Sequence, residues 1–245
     1  MSSVGRGSIS VVSYNVHRCF GADRKYDPPR TANVLAMIDA DIVGLQEVDV
    51  RLDFGGKSQL EYLSDRLGLA IAARPRLDHA RFGNALLTRL PVSTVRQLDL
   101  GGWSEERRTA IEAEIRQGET SFSVLVVHLG LERGERSVQV RRLLDGLSGA
   151  DLPMIVMGDV NEWWPNGALS SLNRRFGAAL APRTFPSRFP ILRLDRIWVW
   201  PSAGLQRYSV FASPTARIAS DHLPVRAEVD WSVPISRKQS NKRIV

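Results

Sequence analysis

"LPMIVMGDVNEWW", residues 152–164, decides how the rest of the chain is read. Its first half is a continuous apolar run of the kind that forms a strand buried on both faces, and it stops abruptly at Asp159. Asn161 follows two residues later, so on an extended strand end the carboxylate and the amide point to the same face. A strand running into a turn accounts for the pair by itself, because Asp and Asn favour turns through local hydrogen bonds. The competing reading is a site built at one end of a sheet, and the other strands bear on it.

Strand-like and helix-like segments alternate along the chain. "SISVVSYNVH" (8–17) alternates and is rich in β-branched residues, "PRTANVLAMIDA" (29–40) has apolar residues at helical spacing, and "DIVGLQEV" (41–48) reads as a buried strand. "SQLEYLSDRLGL" (58–69) predicts a helix capped by Ser58, with Glu61 completing a capping box. Strands follow near "NALLTRLPV" (84–92), "RRTAIEAEIR" (107–116) and "SFSVLVVHL" (121–129). A charged helix over 132–149, the 153–161 strand and a shorter helix over 166–177 come next, and "LDRIWVW" (194–200) and "PVRAEVDW" (224–231) close the domain. No internal repeat or low-complexity segment interrupts this pattern, which predicts a single domain over residues 1–231.

Strand after strand carries a metal- or phosphate-binding residue at its end. Asn15 and His17 close the first, Gln46 and Glu47 the second, and His128 the "SVLVVH" strand. Asp195 opens "DRIWVW", and Asp221 and His222 precede the last strand. In α/β sheets ligands gather at one end of the strands. Each residue alone has a plain reading: Asn15 as a buried amide, Glu47 as a surface acid, Asp221–His222 as ordinary surface. Their joint placement favours a site.

Composition sets the bounds. At 245 residues with 43% hydrophobic content the chain supports a sizeable core and is not disordered. The net charge is +7, but residues 232–245 hold four Lys/Arg and no acid, so residues 1–231 carry only +3. The expectation is a mildly basic domain with a basic, solvated tail over 232–245. Cys19 is the single cysteine, which excludes an internal disulfide. Neither a secretory signal pattern nor an apolar run of membrane-spanning length is present, so the expected location is the cytoplasm and the expected state a monomer.

Seven segments in order, "SYNVH", "LQEVD", "GNALLTRLP", "VVHL", "MGDVNEW", "RLDRIWV" and "SDHLPV", resemble the endonuclease/exonuclease/phosphatase superfamily, from about Val11 to Val229. That group includes pancreatic-type deoxyribonucleases, abasic-site endonucleases, neutral sphingomyelinases and inositol polyphosphate 5-phosphatases. The resemblance implies an α/β sandwich of two sheets with helices flanking both, four layers in all. It also implies Mg²⁺ or Mn²⁺ as cofactor, with Glu47 as principal ligand and Asn15 and Asp221 as further contacts. Asp159 then matches the residue that orients or deprotonates the attacking water, and Asn161 holds that water and the phosphate. His222 faces the phosphoryl group with Asp195 fixing its tautomer, and His128 is a second phosphate-facing histidine. Asp195 has a plain alternative as a surface salt-bridge partner of Arg193 or Arg196.

Other residues are open. His17 shares a face with Asn15 and could touch substrate. Asn84 could contact phosphate or simply form a turn. Trp163 and Trp164 read as core packing, with a lip for a lipid or base as the alternative. The function implied is hydrolysis of a phosphodiester, the substrate a phospholipid headgroup or small organophosphate. A nuclease acting on DNA or RNA is the alternative, and a non-catalytic binding module on the same fold is a second. The basic tail could touch nucleic acid or an anionic membrane surface.

Overall fold

The alternating run at the start folds as β1 (Ser8–Asn15), and the amphipathic stretch after it as α1 (Pro28–Ile38). Pro28 opens that helix, where a missing N–H costs nothing, and the Asp27 side chain accepts the Arg30 N–H as its cap. β2 (Ile42–Val48) follows, then a short hairpin of β3 (Asp53–Phe54) and β4 (Lys57–Ser58). The hairpin leads into α2 (Gln59–Leu67), where Ser58 and Glu61 form the reciprocal cap their spacing predicts. Five strands come next: β5 (Ala70–Ala73), β6 (Gly83–Thr88), β7 (Val92–Gly101), β8 (Arg108–Gln117) and β9 (Thr120–His128). The chain continues with α3 (Arg133–Gly146), β10 (Met154–Asp159), α4 (Ala168–Phe176) and β11 (Asp195–Trp200). It ends with β12 (Leu205–Val210), the single-turn α5 (Ala216–Ala219) and β13 (Val225–Asp230). The computed structural model describes residues 7–49, 51–76, 81–103, 107–147, 152–164 and 167–232.

The strands form two large sheets, in the orders β12-β13-β1-β2-β6-β5 and β11-β10-β9-β8-β7. Side-chain alternation gives each sheet two apolar faces. Val11, Ile42, Leu86, Phe122, Val126 and Met157 fill the space between the sheets. Gly44 belongs there because a Cβ at that position would lie 2.9 Å from Met157 Cε. On the outer face of the first sheet, Val43 and Leu45 pack under Leu35 and Ile38 of α1 and Leu60 and Leu63 of α2. On the outer face of the second, Leu125, Val156 and Trp198 pack under Val140 and Leu143 of α3 and Leu169 and Leu172 of α4. Each fully buried leucine or valine contributes about 1.5–3 kcal/mol relative to exposure. The result is the four-layer α/β sandwich, a single domain. No helix among the described residues is long and apolar enough to cross a membrane.

β13 ends at Asp230 opposite Ser8, at the end of the sheet away from Asn15. The basic tail expected from position 232 onward lies outside the described residues except for Ser232 itself. Removing residues 233–245 is expected to leave the melting temperature nearly unchanged. Thermal unfolding with and without the segment checks this. A fall of more than about 4 °C, the shift for roughly 1 kcal/mol in a domain of this size, would show that the segment packs on the core.

Candidate active site

Two crossovers, β1–α1–β2 and β9–α3–β10, each lay two strands side by side in parallel. Parallel neighbours end on the same side of their sheet. Asn15 therefore stands beside Gln46 at the strand ends of one sheet, and His128 beside Asp159 at the strand ends of the other. β11 runs antiparallel to β10 and begins there, with Asp195 opposite Asp159. The loop before β13 carries Asp221 and His222 to the same end and is tied down by Ser220 Oγ, which donates to the Asn15 carbonyl at 2.7 Å.

Local backbone geometry aims the side chains. Among the described residues, three of the seven non-glycine residues with positive φ are His17 (44°), Glu47 (58°) and Asn161 (49°). The left-handed region is costly for such residues and marks places that the surrounding structure enforces. At Glu47 the cause is a shift in the β2–β6 register between Leu45 and Val48, a bulge that turns one residue out of the pleat. Gly158, just before Asp159, allows β10 to lie close to its neighbour, since a Cβ there would meet the Val127 carbonyl oxygen at 1.9 Å.

The side chains meet around Asp159. Asn15 Nδ2 donates to Asp159 Oδ2 and to Glu47 Oε1, both at 3.0 Å. His128 Nε2 lies 3.6 Å and His222 Nε2 3.5 Å from Asp159 Oδ2. The other Asp159 oxygen accepts the Asn161 N–H at 2.9 Å. Asn161 Nδ2 donates to the Leu129 carbonyl at 2.9 Å and passes 3.3 Å from His128 Nε2. His222 Nδ1 lies 2.8 Å from Asp195 Oδ2, and Asp195 is fully buried. That burial removes the surface salt-bridge reading of Asp195; its neighbour Arg196 turns away and donates to the Glu162 carbonyl.

Electrostatics separate the two histidines. Burial opposes the charged form of His222, but Asp195 and Asp159 outweigh it and push the imidazole up to about 10. His128 is held well below the usual histidine range by burial, by Arg108 and by His222. Arg108 Nη1 lies 3.2 Å from His128 Nδ1, so that nitrogen accepts and Nε2 carries the ring proton into the site. Burial pushes the Asp159 carboxyl up to about 6, with His222 opposing.

Of the residues expected from the sequence, Asn15, Glu47, His128, Asp159, Asn161, Asp195 and His222 form one connected cluster. Asp221 approaches from the side of His17, with 3.6 Å between its Oδ1 and His17 Nδ1, and the His17 N–H donates to Asn15 Oδ1 at 3.0 Å. Asn15 thus turns its amide nitrogen, not its oxygen, toward Glu47. Asn84 is buried, and its Nδ2 donates to the Thr109 carbonyl of the other sheet at 2.6 Å. Trp163 and Trp164 correct the core-packing expectation, being 50% and 60% exposed. Glu162 takes the inward position instead, paired with Arg136 at 2.9 Å. Sequence reasoning missed Arg108, and it missed Phe185, whose ring centroid lies 4.9 Å from that of His222. Arg108 opens a strand at the same end of the sheet, a signal the other site residues share; Phe185 sits in irregular chain and gives none.

Comparison with known proteins identifies the family. The model of the Endonuclease/Exonuclease/phosphatase family matches residues 12–222. The uncharacterized protein YbhP of Escherichia coli strain K12 is 30% identical, over 91% of this chain and 96% of its own. Among solved structures, the mannosyl-6-phosphatase Bt3783 of Bacteroides thetaiotaomicron VPI-5482 superimposes with a TM-score of 0.74 at 20% identity, covering 89% of this chain and 98% of that one. TDP2 of D. rerio, complexed with single-strand DNA product, superimposes with a TM-score of 0.66 at 16% identity, covering 90% and 98%. The chain belongs to the Endonuclease/Exonuclease/phosphatase family, whose members are hydrolases acting on phosphate esters.

Proposed function

We propose that the chain hydrolyses a phosphodiester by in-line attack of water at phosphorus, with a divalent cation, Mg²⁺ or Mn²⁺, bound at Glu47. The observation that carries this reading is the convergence of Asn15 Nδ2, His128 Nε2 and His222 Nε2 on one Asp159 oxygen, each within 3.6 Å. Donors that surround a carboxylate oxygen can surround a phosphoryl oxygen equally well.

The residues present fit an oxygen-preferring cation. Glu47, Asp159, Asp195 and Asp221 all lie at this end of the sandwich, an oxygen-rich set of the kind that suits a hard divalent cation. Asp159, Asp195 and His222 also offer ligand atoms within 4.8 Å of one another. His222 Nδ1 is already engaged by Asp195 at 2.8 Å, and we place the cation on the Glu47 side. Glu47 and Asp221 would supply oxygens, and Asn15 orients Glu47. When bound, the cation would neutralise the phosphoryl oxygens and stabilise the negative charge they carry in the transition state.

The protein's own groups supply the rest. Asp159 takes the proton of the attacking water as its oxygen bonds to phosphorus, and Asn161 holds that water. His128 donates Nε2–H to a phosphoryl oxygen. His222, kept cationic and oriented by Asp195, passes its Nε2 proton to the departing oxygen as the P–O ester bond breaks, so that the leaving group departs as the alcohol. The substrate class we favour is a phospholipid headgroup or small organophosphate, because residues 1–231 carry only +3, little for gripping a duplex.

Activity on bis-p-nitrophenyl phosphate is therefore expected to vanish in excess chelator and to return with Mg²⁺ or Mn²⁺. Glu47→Gln should need a far higher concentration of the ion for half-maximal rate. Metal titration of both proteins checks this; full turnover in chelator would refute it.

A further inference from the structure

Six large hydrophobic side chains stand exposed on the loops around the site. Trp103 follows β7, Leu131 follows β9, Trp163 and Trp164 follow β10, and Phe189 and Ile191 lie on the approach to β11; all are at least half exposed. They are six of the ten exposed large hydrophobics among the described residues. Strand register puts these loops at one end of the second sheet: Gly101 pairs with Arg108, Ala110 with Val127, and Asp159 with both His128 and Asp195. It is the end that carries the site.

The loops are held in place by buried polar groups. Arg136, in the second sheet's covering helix α3, donates to the Gly130 and Leu131 carbonyls and to Glu162. Glu162 in turn accepts the Trp164 N–H at 3.1 Å. Glu135 accepts the Trp103 N–H at 3.3 Å, and Gln139 accepts the Gly130 N–H at 2.8 Å. Phe189 and Ile191 ride on a small hairpin closed by Thr184 N–H to the Leu192 carbonyl at 2.9 Å, and Ser187 N–H ties it to the Asp221 carbonyl at 2.7 Å. Burying an ion pair is expensive, and here it fixes the loops that present apolar tips to solvent. Exposed apolar surface of this extent on one face marks an interaction site.

The chemistry of the rim selects its partner. Tryptophan suits the boundary between water and hydrocarbon. Leu131 and Ile191 have no π-face on which a base could stack, which sets the rim apart from a single-strand platform. The exposed charges on the described parts of these loops are Arg133, Arg183, Arg188 and Arg193 against Glu132, with Arg107 paired to Asp99, and the undescribed residues add Glu105 and Glu106. Net positive charge beside apolar tips complements an anionic headgroup layer.

We propose that this rim docks on an anionic lipid bilayer, so that the site opens onto the headgroups and acts on a phospholipid in the membrane plane. The proposal rests on the phosphodiesterase reading for its substrate, though not for its docking. It assigns membrane contact to the loops around the site.

The test is sedimentation with phosphatidylglycerol/phosphatidylcholine vesicles in chelator, where no turnover occurs. The wild-type protein should pellet with them and bind phosphatidylcholine vesicles more weakly, and its tryptophan fluorescence should be quenched by brominated acyl chains. Trp164→Ser, Phe189→Ser and Ile191→Ser together should weaken binding by about tenfold or more, since each removes apolar area from the interface. The same variant should keep turnover of bis-p-nitrophenyl phosphate, which shows that it is folded. Absence of wild-type pelleting and of quenching would overturn the proposal, as would binding of a single-stranded oligonucleotide in place of vesicles. Docking without hydrolysis of any diester would leave the docking standing and defeat both the phosphodiesterase reading and the phospholipid as substrate; hydrolysis of the soluble diester without docking would overturn the docking and keep that reading.

Discussion

Asp159→Asn is expected to lower turnover of a soluble phosphodiester by about 10⁴-fold, the upper end of what a positioned general base contributes. The same change acts on stability in two opposing ways. Asp159 is 1% exposed, and burial pushes its carboxyl up to about 6, so its folded form holds a proton more tightly than the unfolded chain does. Stability therefore falls as pH rises from the ordinary carboxylate range through about 6, and above it the ionised group opposes folding. An amide of the same shape removes that charge and keeps an acceptor for the Asn161 N–H, but it sets an N–H donor where Asn15 Nδ2 and the two imidazole Nε2 atoms converge. The loss of rate is therefore expected whatever the sign of the change in melting temperature. If Asp159 were only a turn former, the variant would keep its rate.

The second large effect is at Asp195. Asp195→Asn should reduce turnover by about 10²–10⁴-fold while metal affinity and fold are kept. The cause is geometric: the 2.8 Å contact from His222 Nδ1 to Asp195 Oδ2 fixes the ring so that Nε2 faces Asp159. An amide at 195 can offer an N–H there and turn the ring. The double variant Asp195→Asn, His222→Ala should be hardly slower than His222→Ala alone, because residues that act as a unit are non-additive. Multiplying losses would show that the two residues act independently.

Much of this arrangement is legible in the sequence, for a physical reason. β2, β9 and β10 are central strands covered on both faces, so they read as apolar runs, and their polar ends stand out against them. The Ser58–Glu61 cap is a local device and is read locally. β5, β7 and β12 were not legible, and all three lie at sheet edges. Most of β7 and β12 is exposed or half-buried, so neither shows a clear alternation. The tryptophans misled for a different reason. Two aromatics after a buried strand suggest core, yet the Arg136–Glu162 pair draws Glu162 inward and leaves Trp163 and Trp164 outside. Arg136 comes from a helix far away in sequence, and no local pattern reveals such a partner.

Hydrolysis of bis-p-nitrophenyl phosphate in ¹⁸O-labelled water with Mg²⁺, run in parallel on the wild type and on Asp159→Asn, tests the central claim most directly. In-line attack at phosphorus places one labelled oxygen in the p-nitrophenyl phosphate product and none in the p-nitrophenol, with product formation by Asp159→Asn close to background. Label in the phenol, or a wild-type rate no greater than that of Asp159→Asn, would contradict the account.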